Sequence, residues 1–194
     1  VALIEDDVYG ELSFGSARPR TAKSYDKKGI VLLCTSFSKT ISPGARVGWT
    51  APGRYRREVE RLKRMSNNSS ATFPQMVIAR YLATGGYDRF LRGIRRSYAS
   101  QMRSMLSAIT EHFPKGTRVS RPEGGCVLWV ELPRTVSGLE LHRRALEKNI
   151  CIAPGILFSA RQRFKNCIRI NCGNPWSDEI EKAVITLGKL AKQK

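Results

Sequence analysis

Histidine is almost missing from this chain: His112 and His142 are the only two among 194 residues, and they lie far apart. No Cys-x-x-Cys pair exists among Cys34, Cys126, Cys151, Cys167 and Cys172, so no metal site of the zinc type is expected. The odd cysteine count and the mostly apolar segments around those residues argue against a disulfide framework. They read instead as buried, reduced thiols of a cytoplasmic protein. No apolar run approaches the length needed to span a bilayer, so a membrane is not an expected partner. No signal peptide is visible. Internal repeats, low-complexity tracts and DNA-reading motifs are absent as well. Acidic residues are scarce, 16 against 34 Lys and Arg, which leaves a formal net charge of +18. The basic residues cluster at 54–64 and 89–103. Such clusters can attract nucleic acid. Here they fall on the outer faces of amphipathic patterns, whose ordinary meaning is a solvated face.

What is present is a globular composition, 41% hydrophobic, on a chain long enough to bury a core in one or two domains. The organising stretch is 30–50, IVLLCTSFSKTISPGARVGWT. Residues 30–35 are apolar and β-branched, the pattern of a strand buried on both faces. Ser36, Ser38 and Lys39 follow, then a Pro43-Gly44 turn, Arg46, and a returning strand at 47–51. Hydroxyls, an amine and a guanidinium thus gather past the carboxyl end of a strand, where open α/β sheets bind ligands. A guanidinium forks onto phosphate oxygens, and serine hydroxyls donate to the same group. A lysine at the rim of a cationic, apolar pocket becomes a nucleophile toward carbonyls. Pyridoxal phosphate, a phosphate-bearing aldehyde, satisfies all three. Taken alone, Lys39 also reads as a solvated loop lysine.

The first residues repeat the arrangement. Residues 1–4 form an apolar strand, and Glu5, Asp6, Asp7 and Tyr9 stand past its end. A polar turn closing the strand is the plainer account of that cluster.

The pair IEDDVYGEL and SFSKTISPGARVGW resembles the fold-type-I pyridoxal-phosphate enzymes, in particular the class I/II aminotransferases. The resemblance runs over nearly the whole chain. The wording of APGRYRREVERLK, TGGYDRFLR and IAPGILFSARQRFKNCIRINCGNPWS is similar to the aminotransferase-like domain of MocR-type, GntR-family transcriptional regulators. The resemblance implies pyridoxal 5'-phosphate as cofactor and assigns roles. Lys39 matches the Schiff-base lysine, Asp6 the carboxylate on the pyridine nitrogen, and Tyr9 the phenol on the ring oxygen. Ser36 and Arg46 match phosphate ligands, with Ser38 a further candidate. Arg169 matches the arginine that clamps a substrate carboxylate. Alone in a short strand, it reads equally as an outward-facing arginine.

The remaining pattern is mixed. Residues 10–29 read as a polar surface loop, 54–65 as a helix, and 74–84 as another with Pro74 in its first turn. Apolar residues keep helical spacing from Tyr87 to Phe113. Strands are expected at 125–131, 150–153 and 167–171, and helices at 138–149 and 177–192 with Ser177 as N-cap. The implied fold class is α/β. Residues 1–100 would be the C-terminal portion of a fold-type-I large domain with a mostly parallel sheet, and 101–194 a smaller α+β domain.

The chain begins inside an apparent strand, so the natural N-terminus is expected upstream. The family's phosphate-cupping turn, ring-stacking aromatic and phenolate asparagine precede the Asp6 motif and are not in this sequence. The fragment alone is therefore expected to bind cofactor weakly or not at all. The implied partners are an amino-acid-like small molecule and a second subunit in a homodimer, with DNA reached only through an upstream domain. The two functions to separate are the effector domain of a regulator and a free-standing aminotransferase; a basic nucleic-acid-binding domain without cofactor chemistry is the third.

Overall fold

A computed structural model describes residues 1–15 and 17–193. Two units divide the chain, Val1–Arg95 and Arg96–Lys194. In the first, strands β1 (Leu3–Asp6), β2 (Val31–Ser36) and β3 (Gly48–Ala51) form a sheet in that order. β1 runs parallel to β2 with Asp6 opposite Cys34, and β3 runs antiparallel with Gly48 opposite Ser36. Gly48 is required there: a Cβ would stand 2.6 Å from the Thr35 carbonyl oxygen. Helices α1 (Arg56–Asn67) and α2 (Thr72–Ala83) follow, and α3 (Gly86–His112) runs through the point of division.

Several expectations are corrected. β2 is buried only through Val31 and Leu33; Leu32 and Cys34 on its other face are half-buried. β1 includes Glu5 and Asp6, and Leu3 and Ile4, which point to opposite faces of the sheet, are both exposed. The 10–29 stretch is no plain surface loop. It holds two 3-10 turns, Gly10–Leu12 and Ala22–Tyr25, and Leu12 is wholly buried. Of the cysteines only Cys167 and Cys172 are buried, and Cys151 is exposed.

Asp26 organises the entry to β2. Its side chain is 1% exposed and pairs with Lys23 at 3.1 Å. Its carboxylate accepts backbone N–H bonds from Val31 at 2.8 Å and from Ile30 and Lys28 at 3.1 Å. The Val31 N–H leads the groups that hold this carboxyl well below the usual range, against the opposing effect of burial. A depressed folded-state pKa stabilises the fold above the unfolded value of about 3.9, and that contribution disappears as pH falls through the folded value. Asp26→Asn puts an NH2 where only donors point. Its melting midpoint is therefore expected below wild type at pH 7, with the gap closing on acidification below about pH 4. A gap that is constant across a pH 2–7 melting series would remove Asp26 from this role.

The second unit carries β4 (Arg118–Val119), β5 (Val127–Glu131), β6 (Ala153–Pro154) and β7 (Cys167–Asn171), antiparallel in the order β4-β5-β7-β6. Helices α4 (Gly138–Leu146) and α5 (Asp178–Lys192) accompany them. The period-2 pattern puts Leu128, Val130, Ile168 and Ile170 into a core with Leu141, Ala145, Val184 and Leu187. Each fully buried Leu, Ile or Val there contributes about 1.5–3 kcal/mol. Ser137 and Ser177 cap the two helices, accepting from Glu140 N at 3.2 Å and Ile180 N at 3.4 Å. α4 ends in a Schellman motif. Asn149 sits at φ 59°, and the amides of Asn149 and Ile150 turn back to Leu146 and Ala145, both at 2.9 Å. Among the described residues no helix is long and apolar enough to cross a membrane.

Candidate functional site

The carboxyl ends of β1 and β2 are tied together before the site begins. Asp7 N donates to Cys34 O at 2.8 Å, and Thr35 Oγ1 to Asp7 O at 3.2 Å. The three consecutive acids then separate by partner. Glu5 accepts the amides of Ala22 at 2.7 Å and Lys23 at 2.9 Å, holding the second 3-10 turn. Asp7 pairs with Arg18, whose Nε also reaches Glu11 at 2.8 Å. Arg95 adds a 2.6 Å bond to the Glu11 carbonyl. Asp6 is exposed, and its carboxylate has no partner among the described residues.

Past β2 the chain folds into a tight turn hung from one carbonyl. The amides of Ile41 and Ser42 both reach Phe37 O, at 2.8 and 3.1 Å. Lys39 stands at the outside of this turn. Its Nζ lies 5.7 Å from the centre of the Tyr9 ring and, among the described residues, has no hydrogen-bond or ion-pair partner. The next residue is the anchor. Thr40 is 4% exposed and accepts the Tyr87 hydroxyl bond at 3.2 Å. The Tyr87 ring meets Phe37 edge-on at 6.1 Å, and burial raises its phenol pKa.

Arg46 closes the loop. Its backbone is left-handed, φ 52°, ψ 40°, at the end of the 3-10 turn Pro43–Ala45. A non-glycine residue there costs of order 1–3 kcal/mol, a strain that collects at ligand sites. The turn directs the guanidinium to Ser38 Oγ and Pro43 O, each at 3.3 Å. Ser36 Oγ accepts the Ser38 amide at 3.4 Å. The structure thus brings Tyr9 to Lys39 and Ser38 to Arg46, and puts Asp6 at the end of the strand beside β2.

Arg169 belongs to the second unit. It is central in β7, opposite Trp129 on β5 and Ala153 on β6. Its guanidinium carbon lies 4.8 Å from the centre of the Phe158 ring. Thr40, Tyr87 and Phe158 carry no sequence signal of their role, because their partners are brought by turns. Burial and the nearby Cys126 thiol push Cys172 up to about 12, which makes it an inert thiol rather than a nucleophile.

No protein-family model matches the chain. It is 40% identical over 189 residues to the HTH-type transcriptional regulator YjiR of Escherichia coli K12, covering 97% of this chain and 40% of that protein. It is 39% identical over 194 residues to the HTH-type transcriptional regulator YdcR of the same strain, covering 100% of this chain and 42% of that one. Its fold superposes on LysN, the alpha-aminoadipate aminotransferase of Thermus thermophilus solved with N-(5'-phosphopyridoxyl)-L-leucine. The TM-score is 0.91 at 32% identity, over 99% of this chain and 50% of LysN. The chain therefore spans between about 40% and half the length of the proteins it resembles. Its fold is that of the fold-type-I, pyridoxal-phosphate-dependent aminotransferases, and its sequence is similar both to HTH-type regulators of the MocR-like kind and to aminotransferases.

Proposed function

We propose that this chain holds pyridoxal 5'-phosphate through Lys39 and recognises an amino-acid-like ligand through Arg169, as the effector portion of a MocR/GntR-type transcriptional regulator. The observation that carries the reading is a partner-free amine, Lys39, set against the Tyr9 ring at 5.7 Å. The donor set fits the group. Arg46 and the hydroxyls of Ser36 and Ser38 suit a phosphate. Tyr9 suits the ring oxygen. Asp6, left free while Glu5 and Asp7 are engaged, suits a protonated ring nitrogen.

Bound pyridoxal phosphate supplies an electron sink for negative charge at the ligand's α-carbon. Lys39 would hold the cofactor covalently and would take and return a proton at the ligand's α-carbon. Asp6 keeps the ring nitrogen protonated. Arg169 orients the ligand through two parallel N–H bonds to its carboxylate. On this reading residues 1–100 are the C-terminal part of a cofactor-binding large domain and 101–194 a small domain. The full-length protein is a cytoplasmic homodimer that reaches DNA through a segment upstream of Val1.

The likeness to two HTH-type regulators at 40% and 39% identity supports this reading. The likeness to LysN favours a second one, a free aminotransferase that moves an amino group between an amino acid and a 2-oxo acid. Titrating the full-length protein with the twenty amino acids separates them. A regulator is expected to change its cofactor absorption with no more than one product per site. An aminotransferase turns over repeatedly when a 2-oxo acid is added. A protein that takes up no cofactor sinks both.

A further inference from the structure

Arg169 is held by its face and free at its edge. The guanidinium lies over Phe158 at 4.8 Å, and among the described residues no carboxylate or carbonyl pairs with it. Phe158 is braced in turn. Trp129, the cross-strand neighbour of Arg169, meets it edge-on at 5.4 Å and 79°, and meets Phe164 at 5.5 Å and 88°. Phe158 and Phe164 stay 41% and 46% exposed. The brace depends on Gly155, which starts the 3-10 turn Gly155–Phe158. A Cβ at Gly155 would run into the Phe164 carbonyl oxygen and stand 2.8 Å from Cys167 Cβ.

We propose that Phe158, braced by Trp129, is a positioning residue that presents the N–H edge of Arg169 to a ligand carboxylate. This rests on the carboxylate-binding reading of Arg169 given above and adds the element that orients it. An arginine side chain free to rotate loses several torsions when it grips a carboxylate in a two-point fork. A ring under the guanidinium removes most of those choices beforehand and leaves all five edge donors exposed. Ala153, the small neighbour on the other side, lines a cavity together with Arg169.

The test uses the full-length protein with its cofactor and the amino acid that gives the largest absorption change, beside an amine of the same side chain without a carboxylate. Phe158→Ala is expected to raise the half-saturating concentration of the amino acid about tenfold. The response to the amine and the cofactor band itself should be unchanged. Phe158→Trp should restore affinity, and Phe158→Leu, which keeps apolar bulk without a ring face, should not. In cofactor-free protein, Phe158→Ala should remove the ring-current shift from the Arg169 Nε proton in NMR spectra.

Unchanged affinity in Phe158→Ala, or an equal loss for the amine, overturns the inference. A normal affinity in Phe158→Leu does the same, because it separates packing from stacking. Arg169→Ala distinguishes the two levels. If Arg169→Ala loses discrimination for the carboxylate while Phe158→Ala keeps it, only the positioning role fails. If Arg169→Ala also binds normally, or if no amino acid perturbs the wild-type band, the carboxylate role of Arg169 falls and the inference with it.

Discussion

Lys39→Ala is expected to abolish covalent cofactor attachment in the full-length protein. The visible absorption of lysine-bound cofactor should vanish, and borohydride treatment should leave no pyridoxyl mass on the peptide containing residue 39. The physical reason is that no other amine replaces it: among the described residues Lys39 is the amine over the Tyr9 ring. Lys39→Arg should fail equally, since a guanidinium stays protonated and is not a nucleophile at neutral pH. The fold should barely notice. Lys39 is exposed and carries no ion pair among the described residues, so its removal should change stability by no more than about 0.5 kcal/mol. A wild-type spectrum from Lys39→Ala would show that another residue holds the cofactor.

Gly188→Val is expected to give the largest loss of stability. Gly188 sits in α5 against the carboxyl end of α3. A Cβ there would strike the His112 carbonyl oxygen, stand 2.8 Å from its carbonyl carbon and 3.1 Å from His112 Cβ. Two of those three atoms are backbone and cannot swing aside. Helix propensity pulls the other way, since replacing a mid-helix glycine by alanine gains about 1 kcal/mol. Overpacking costs roughly 1–3 kcal/mol for a methylene or so, and valine adds two more carbons. The clash therefore wins. A loss of about 3 kcal/mol would lower the melting midpoint of a unit of this size by roughly 10 °C or more. Gly188→Ala should fall between wild type and Gly188→Val. An alanine variant that melts higher than wild type would mean that the two helices do not approach this closely.

Particular residues show what can be read in advance. The β7 strand is legible because Ile168 and Ile170 alternate with Arg169 and Asn171, and one charge in a short strand marks itself. The long α3 is legible because apolar residues keep a 3.6-residue period through 27 residues, far beyond any strand. Leu12 is not, because one buried leucine in a polar stretch has no period to belong to. β4 and β6 are two residues each, shorter than any periodic signal. The exposure of Leu3 and Ile4 escapes the pattern because an apolar run says what a strand could bury, not whether a neighbour is there to cover it.

The site divides in the same way. The proposed chemistry rests on residue types in order: an acid ending one strand and a phenol past it, then a serine ending the next strand and a serine, a lysine and an arginine past it. Which of three consecutive acids remains available does not, because Glu5 and Asp7 are claimed by groups 11 to 18 positions away.

From residue order alone come the main strands and helices, which depend on periodicity, and the motifs at two strand ends whose resemblance to a known family implies the cofactor chemistry. Folding in three dimensions decides that Asp6 is the free acid, that Thr40 and Tyr87 pin the lysine turn, and that Phe158 faces Arg169. Those choices turn on contacts across loops, where a single glycine or a left-handed residue sets the direction of the chain. Linear spacing carries no record of that direction.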